Sequence, residues 1–226
     1  MLPALLAVWL LLIGQAALAA DTCSGLPPTR VSVSLLESPL VFNGDTSFKA
    51  LKGMSNRYAD QGIDVLGLTI GKAQIRASSR SSLRRDPSGQ WECATHQITI
   101  AYGFQPITLY VGREFPPDSC GFREIHAHEM RHAQIYQEGA RRLLDEITAS
   151  LQARFDNAPP VRGPAGSTSV AVQQELNTRW IPYIQRLLGA LESQQRDVDS
   201  PEEYARVKAS CQGEIQQRAM QAKKQP

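Results

Sequence analysis

The sequence predicts an α+β protein. A short mixed or antiparallel sheet with one N-terminal helix comes first, followed by a long helix and two further C-terminal helices. Three observations lead there. Val31, Val33 and Leu35, then Leu66, Leu68 and Ile70, then Ile98, Ile100 and Tyr102 alternate with other residues, which is the period of half-buried strands. Between Ile125 and Phe155 a seam recurs at three- and four-residue steps, as on a helix with one inward face. Val172, Leu176, Trp180, Ile184, Leu187 and Leu191 form a second such seam.

Met1–Ala19 reads as a secretory signal. Its apolar run is Leu5–Ile13, and Ala17-Leu18-Ala19 supplies the small-residue cleavage pattern. The run is shorter than the roughly 20 residues a membrane-spanning helix needs. That leaves a single domain over 20–226, with a sheet portion at 30–115 and a helical portion at 120–221. The expected location is periplasmic or secreted.

Asp21–Arg30 is an extended lead-in to the first strand. Asn43-Gly44-Asp45 turns the chain into a helix over Thr46–Asp60, with Phe48, Leu51, Met54 and Tyr58 inward. The second strand runs Leu66–Ile75, with Gly71 allowing a bulge. The polar stretch after it, with Arg76, Arg80, Arg84 and Arg85 in or beside it, reads as a solvated hairpin tip. Trp91–Phe104 alternates again, Gln105-Pro106 reads as a turn, and Ile107, Leu109 and Val111 make a further strand. Pro159, Pro160 and Pro164 break the long helix. Pro182 is expected to kink the second one. Ser200-Pro201-Glu202-Glu203 is a capping box that opens a third helix reaching about Met220.

A net charge of +2 over 226 residues gives no pointer to nucleic acid or to strong membrane adsorption. No stable membrane insertion is expected. Cys23, Cys93, Cys120 and Cys211 are an even set after a signal, which predicts two disulfides. A hairpin folded about residue 105 favours Cys93–Cys120 with Cys23–Cys211, although the sequence permits all three connectivities.

Function concentrates in His128-Glu129-Met130-Arg131-His132, which fits H-E-x-x-H. On a helix the two histidines lie about 40° apart around the axis and about 6 Å along it. Both imidazoles then reach one ion, and zinc accepts neutral histidine nitrogen. Glu129 lies between them in angle and is placed to take a proton from an attacking water. A chance match on an amphipathic helix is the competing reading. Against it, three of the chain's four histidines fall in this segment. His126 points about 200° away from His128 and is not expected to be a ligand.

At these residues the chain resembles the zincin metallopeptidases. A catalytic zinc takes a third protein ligand. Ile135 and Glu138 stand where one zincin branch has glycine and that ligand. The ligand must then come from elsewhere. An αα-hairpin hinged near residue 162 sets His132 level with Glu192, the first candidate. Asp199 and Glu203 follow, with His96 as an outside option.

The layout is also similar to the minimal glutamate-ligand zincins and to an uncharacterised bacterial family of secreted proteins taken for zinc proteases. The resemblance implies peptide hydrolysis, Zn2+ as cofactor, and an extended peptide or protein substrate along an edge strand, for which Ile107–Val111 is the candidate. Tyr183 or Tyr204 is the candidate oxyanion donor. The alternative is a non-catalytic metal-binding or partner-binding envelope protein on a zincin scaffold.

Overall fold

A computed structural model describes residues 23–55 and 64–224. The signal segment and Tyr58 lie outside the described residues. Among those residues the chain is mixed α and β, built on one five-stranded sheet. The strands are β1 (Arg30–Leu35), β2 (Leu40–Asn43), β3 (Gly67–Arg85), β4 (Trp91–Val111) and β5 (Val161–Pro164). A short helix, α1 (Phe48–Met54), precedes β3 and is capped by Ser47, whose side chain accepts from the Ala50 amide.

The 21-residue β4 is the axis of the sheet. Antiparallel β3 pairs with it from Gly67↔Val111 to Arg85↔Glu92. Along its other side lie, in turn, antiparallel β5 and the parallel strands β1 and β2. The hairpin tip is therefore at residues 86–90. The turn expected at Gln105-Pro106 is absent. Ile107 pairs with Gly71 and Phe104 with Ala73, so two residues of β4 oppose Lys72 alone. This bulge accommodates a proline, which has no N–H for the ladder, inside a central strand. Ile107–Val111 is consequently an interior strand between β2 and β3, not an edge. Gly67–Gly71 of β3 lies beside it, on the side away from β2.

The moved hairpin tip also changes the cysteine pairing. Cys93 faces Arg84, near the tip. The extended lead-in crosses it there, with Arg84 Nη1 donating to Ser24 O at 2.7 Å. The disulfides are Cys23–Cys93 and Cys120–Cys211, not Cys93–Cys120 and Cys23–Cys211. They join cysteines 70 and 91 residues apart, and loops of that size give roughly 4–5 kcal/mol each in the chain-entropy account. Two disulfides fit an oxidising compartment. No helix of the described residues is long and apolar enough to cross a membrane.

Helices cover one sheet face. They are α2 (Cys120–Arg142), α3 (Leu144–Phe155), α4 (Thr168–Glu175), α5 (Ile181–Val198), α6 (Pro201–Ala209) and α7 (Glu214–Lys223). The expected first long helix is thus two, broken at Leu143. Its seam carries on across the break, since Ala133, Tyr136, Ala140, Ile147, Leu151 and Phe155 are all buried against Ile98, Ile100 and Tyr102. Each large apolar side chain so buried is worth about 1.5–3 kcal/mol. Tyr102 donates to Ala140 O at 2.9 Å, which satisfies its buried hydroxyl. Pro182 falls in the first turn of α5, after a π-helical turn at Leu176–Trp180. The third expected helix divides at a 3₁₀ turn, Cys211–Gly213. A second core of Leu109, Val111, Phe115, Ile125, Val207 and Ile215 ties the start of α2 to α6 and α7.

Candidate metal centre

Ser119 starts α2 by accepting from the Phe122 amide at 3.1 Å. Two turns later His128, Glu129 and His132 emerge on its buried face. The two imidazoles converge, with Nε2 to Nε2 at 3.2 Å. The carboxylate brought to them is that of Asp199. Its Oδ1 lies 3.2 Å from His128 Nε2 and 3.1 Å from His132 Nε2. Asp199 caps the C-terminus of α5 at φ −85°, ψ 41°, where the chain leaves the helix on its way to α6.

These three residues form a group that can hold a metal ion. Ligands at 2.0–2.1 Å from a tetrahedral ion stand about 3.3–3.4 Å apart, close to the three edges seen here. Two nitrogen donors and one carboxylate oxygen also form a familiar zinc donor set.

Glu192 is not the carboxylate brought to the histidines. Tyr136 Oη lies 3.4 Å from its Oε1, one turn further from the imidazoles. The error lies in helical register. His132 is level with Gln195 and His128 with Asp199, so facing partners fall three residues further along α5 than expected. The π-helical turn contributes to the offset, because it inserts an extra residue into the helix.

The remaining candidates have other places. Glu203 lies outside the trio, with Oε1 3.3 Å from His128 Nδ1. His96 is buried on β4, with Nδ1 3.0 Å from Ser81 Oγ. His126 stacks on Phe122 at 5.6 Å, outside the cluster as expected. Tyr183 donates to Glu146 Oε1 at 2.8 Å and lines a different hollow from the His128, His132 and Asp199 group. Tyr204 lines the same cleft as the cluster, its ring 6.3 Å from that of His128.

Both outer imidazole nitrogens face acceptors. Gln195 Oε1 lies 2.6 Å from His132 Nδ1, and Gln195 Nε2 donates to His132 O at 3.2 Å. The acceptor at His132 Nδ1 places the proton there and leaves its Nε2 lone pair pointing at the shared centre, whereas His128 Nδ1 lies 3.1 Å from the donor Arg131 Nη2 as well as 3.3 Å from Glu203 Oε1. Glu203 is itself clamped by Arg206, at 2.9 Å through both Nε and Nη2, and by Arg131. Arg206, Arg131 and His128 together hold the Glu203 carboxyl well below the usual range. Arg206 also bonds Glu124 at 2.9 Å, which ties α6 back to α2.

Glu129 lies beside the two imidazoles and against β3. The Thr69 hydroxyl is shared between Glu129 Oε2 at 2.9 Å and Glu129 O at 3.0 Å. Burial raises the Glu129 carboxyl, against the opposing pull of His132 and His128. Burial alone would lower His132, but the Asp199 hydrogen bond and the charges of Glu129 and Asp199 outweigh it, so its imidazole is raised. Gly67 makes this approach possible, because a Cβ there would meet Glu129 Oε1 at 2.6 Å. Nothing in the sequence pointed to Gln195, Thr69 or Gly67, whose roles depend on contacts between distant segments.

The cluster opens into a cleft of about 970 Å³. One wall is Gly67–Gly71 of β3, and the floor runs over Ile125 to Val207, Ile215 and Ala219. No family model matches the chain, and neither the curated proteins nor the solved structures give a match.

Proposed function

We propose that the chain is a zinc-dependent peptidase of the zincin type, with the metal on His128, His132 and Asp199. The observation that carries the reading is the convergence of two Nε2 atoms and Asp199 Oδ1 within 3.1–3.2 Å of one another, with Glu129 on the same helix face. A zinc ion there would supply Lewis acidity, polarising a carbonyl and making water more acidic.

The chain's own residues do the rest. Glu129 accepts the proton of the attacking water and returns it to the leaving amine. Thr69 fixes the rotamer of that carboxylate. The backbone of Gly67–Gly71 receives an extended peptide, as edge strands do. Tyr204 is positioned in the same cleft to donate to the developing oxyanion. The apolar floor of Ile125, Val207 and Ile215 excludes water and favours substrates with apolar side chains near the cleaved bond.

Metal content of the purified protein, measured by mass spectrometry alongside hydrolysis of an unstructured peptide library, tests the reading. One zinc per chain, lost in His132→Ala together with hydrolysis, supports it. A wild-type chain that binds no divalent metal overturns it.

A further inference from the structure

The middle of the sheet face opposite the helices, beyond the lead-in that crosses it at Cys93, is open and cationic. Register places Arg76, Ala101 and Ser34 in one cross-strand row. Ser78, Thr99 and Ser32 make the next, and Arg80, Gln97 and Arg30 the third. Strand alternation points all nine away from the core, because their neighbours Ile75, Ile98, Ile100 and Val33 pack under the helices. Eight of the nine are exposed and Ala101 is half-buried. Arg84 continues the β3 row beyond them.

These three rows carry no carboxylate. The hydrogen bonds of their arginines go to neutral acceptors: Arg30 to Asn157 Oδ1 at 2.8 Å and Arg76 to Gln105 Oε1 at 2.9 Å. Arg84 likewise donates to Ser24 O. Among the described residues none of the four arginines is in an ion pair. A net charge of +2 averages over the whole chain and conceals this asymmetry.

Like charges gathered on one sheet face repel and add nothing to folding. Their arrangement is a grid in two dimensions. Arg76 and Arg80 are about 13 Å apart along the strand, and Arg80 and Arg30 about 10 Å apart across two strands. Guanidinium groups pair with phosphate through parallel N–H donors. A flat grid interleaved with Ser and Thr hydroxyls matches a plane of phosphates better than one small anion, which needs a concave cradle. The three rows also hold no large apolar side chain that could insert between lipids.

We infer that this face is an electrostatic docking surface for an anionic phospholipid bilayer. It would hold the protein flat on the headgroups, with the helical layer directed away from the membrane.

Flotation of the full chain with vesicles tests it. Phosphatidylcholine alone is compared with phosphatidylcholine containing a third of phosphatidylglycerol, at low and high salt. The bound fraction should rise with the anionic lipid and fall at high salt. Arg76→Gln with Arg80→Gln should weaken the anionic-lipid component about five-fold per arginine. Arg141→Gln with Arg196→Gln, which removes the same charge from exposed helix positions, should not. All variants share one N-terminus, so any contribution from its apolar run cancels. Equal loss in both pairs would overturn the inference, as would binding indifferent to lipid charge. Tighter binding to a soluble sulfated polysaccharide than to the vesicles would overturn it too, in favour of a polymer ligand.

Discussion

Gln195 holds His132 at two points. Its Oε1 accepts from the imidazole Nδ1–H at 2.6 Å, and its amide donates to the His132 carbonyl at 3.2 Å. Gln195 is 3% exposed, so neither bond competes with bulk water. One side chain thereby fixes the tautomer and the ring plane of a candidate ligand.

Gln195→Leu preserves volume but removes the acceptor. Zinc affinity should fall about 10- to 100-fold, the usual worth of an outer partner to a metal-binding histidine. Gln195→Glu restores an acceptor and should recover most of it. Competition against a chromogenic chelator reads both. Affinity unchanged in the Leu variant would show that Gln195 serves packing alone.

Glu192 and Asp199, near and at the C-terminal end of α5, should separate cleanly. Asp199→Ala removes the atom lying within 3.2 Å of both imidazoles and should lower zinc affinity about as much as His132→Ala. Glu192→Ala removes an acceptor for Tyr136 and none of the three converging atoms, and zinc occupancy should stay near wild type. The reverse ranking would move the metal one turn along the helix pair.

The motif was legible because it is local. The spacing of His128 and His132 and the helical seam around them need no knowledge of the rest of the chain. So was the alternation at Ile98, Ile100 and Tyr102, whose neighbours on β1 and β3 share the period. The carboxylate that meets the two imidazoles was not, because it depends on helix register. An offset of three residues exchanges Glu192 for Asp199, and the π-helical turn leaves no sequence mark. Pro106 misled for a related reason. A bulge lets a central strand keep a proline that otherwise signals a turn, and the misplaced hairpin carried the cysteine pairing with it. The far half of β3 was missed because its helix-facing residues are Ser79 and Ser81, small and polar. Ser81 meets Ser169 and His96 rather than an apolar core.

Glu203 gives a prediction about pH. Its carboxyl is ordinarily near 4.5, and in the folded chain Arg206, Arg131 and His128 depress it. A depressed folded value means the unfolded chain binds the proton more readily. The contribution to stability is therefore complete above about 4.5 and is lost as pH falls below it towards the folded value. Wild type should exceed Glu203→Gln in denaturant midpoint at pH 6 to 7, and the gap should narrow on acidification to pH 3. A gap of constant size would mean that the cluster acts through shape rather than charge.

Glu129→Gln separates catalysis from metal storage. Glutamine keeps the size and one acceptor, so the Thr69 hydroxyl still has a partner. It also relieves the burial of a charge at a residue only 5% exposed, so folding should not suffer. Glu129 is not one of the three atoms that converge, so zinc content should stay near wild type. What is lost is the proton acceptor. Hydrolysis of an unstructured peptide should drop by about 10² to 10⁴. Thermal denaturation and metal analysis on the same preparation establish that the loss is chemical. If wild type and Glu129→Gln carry a full zinc complement and are equally inert across a broad peptide library, the centre binds metal without hydrolysing peptides. The chain is then a metal-binding scaffold.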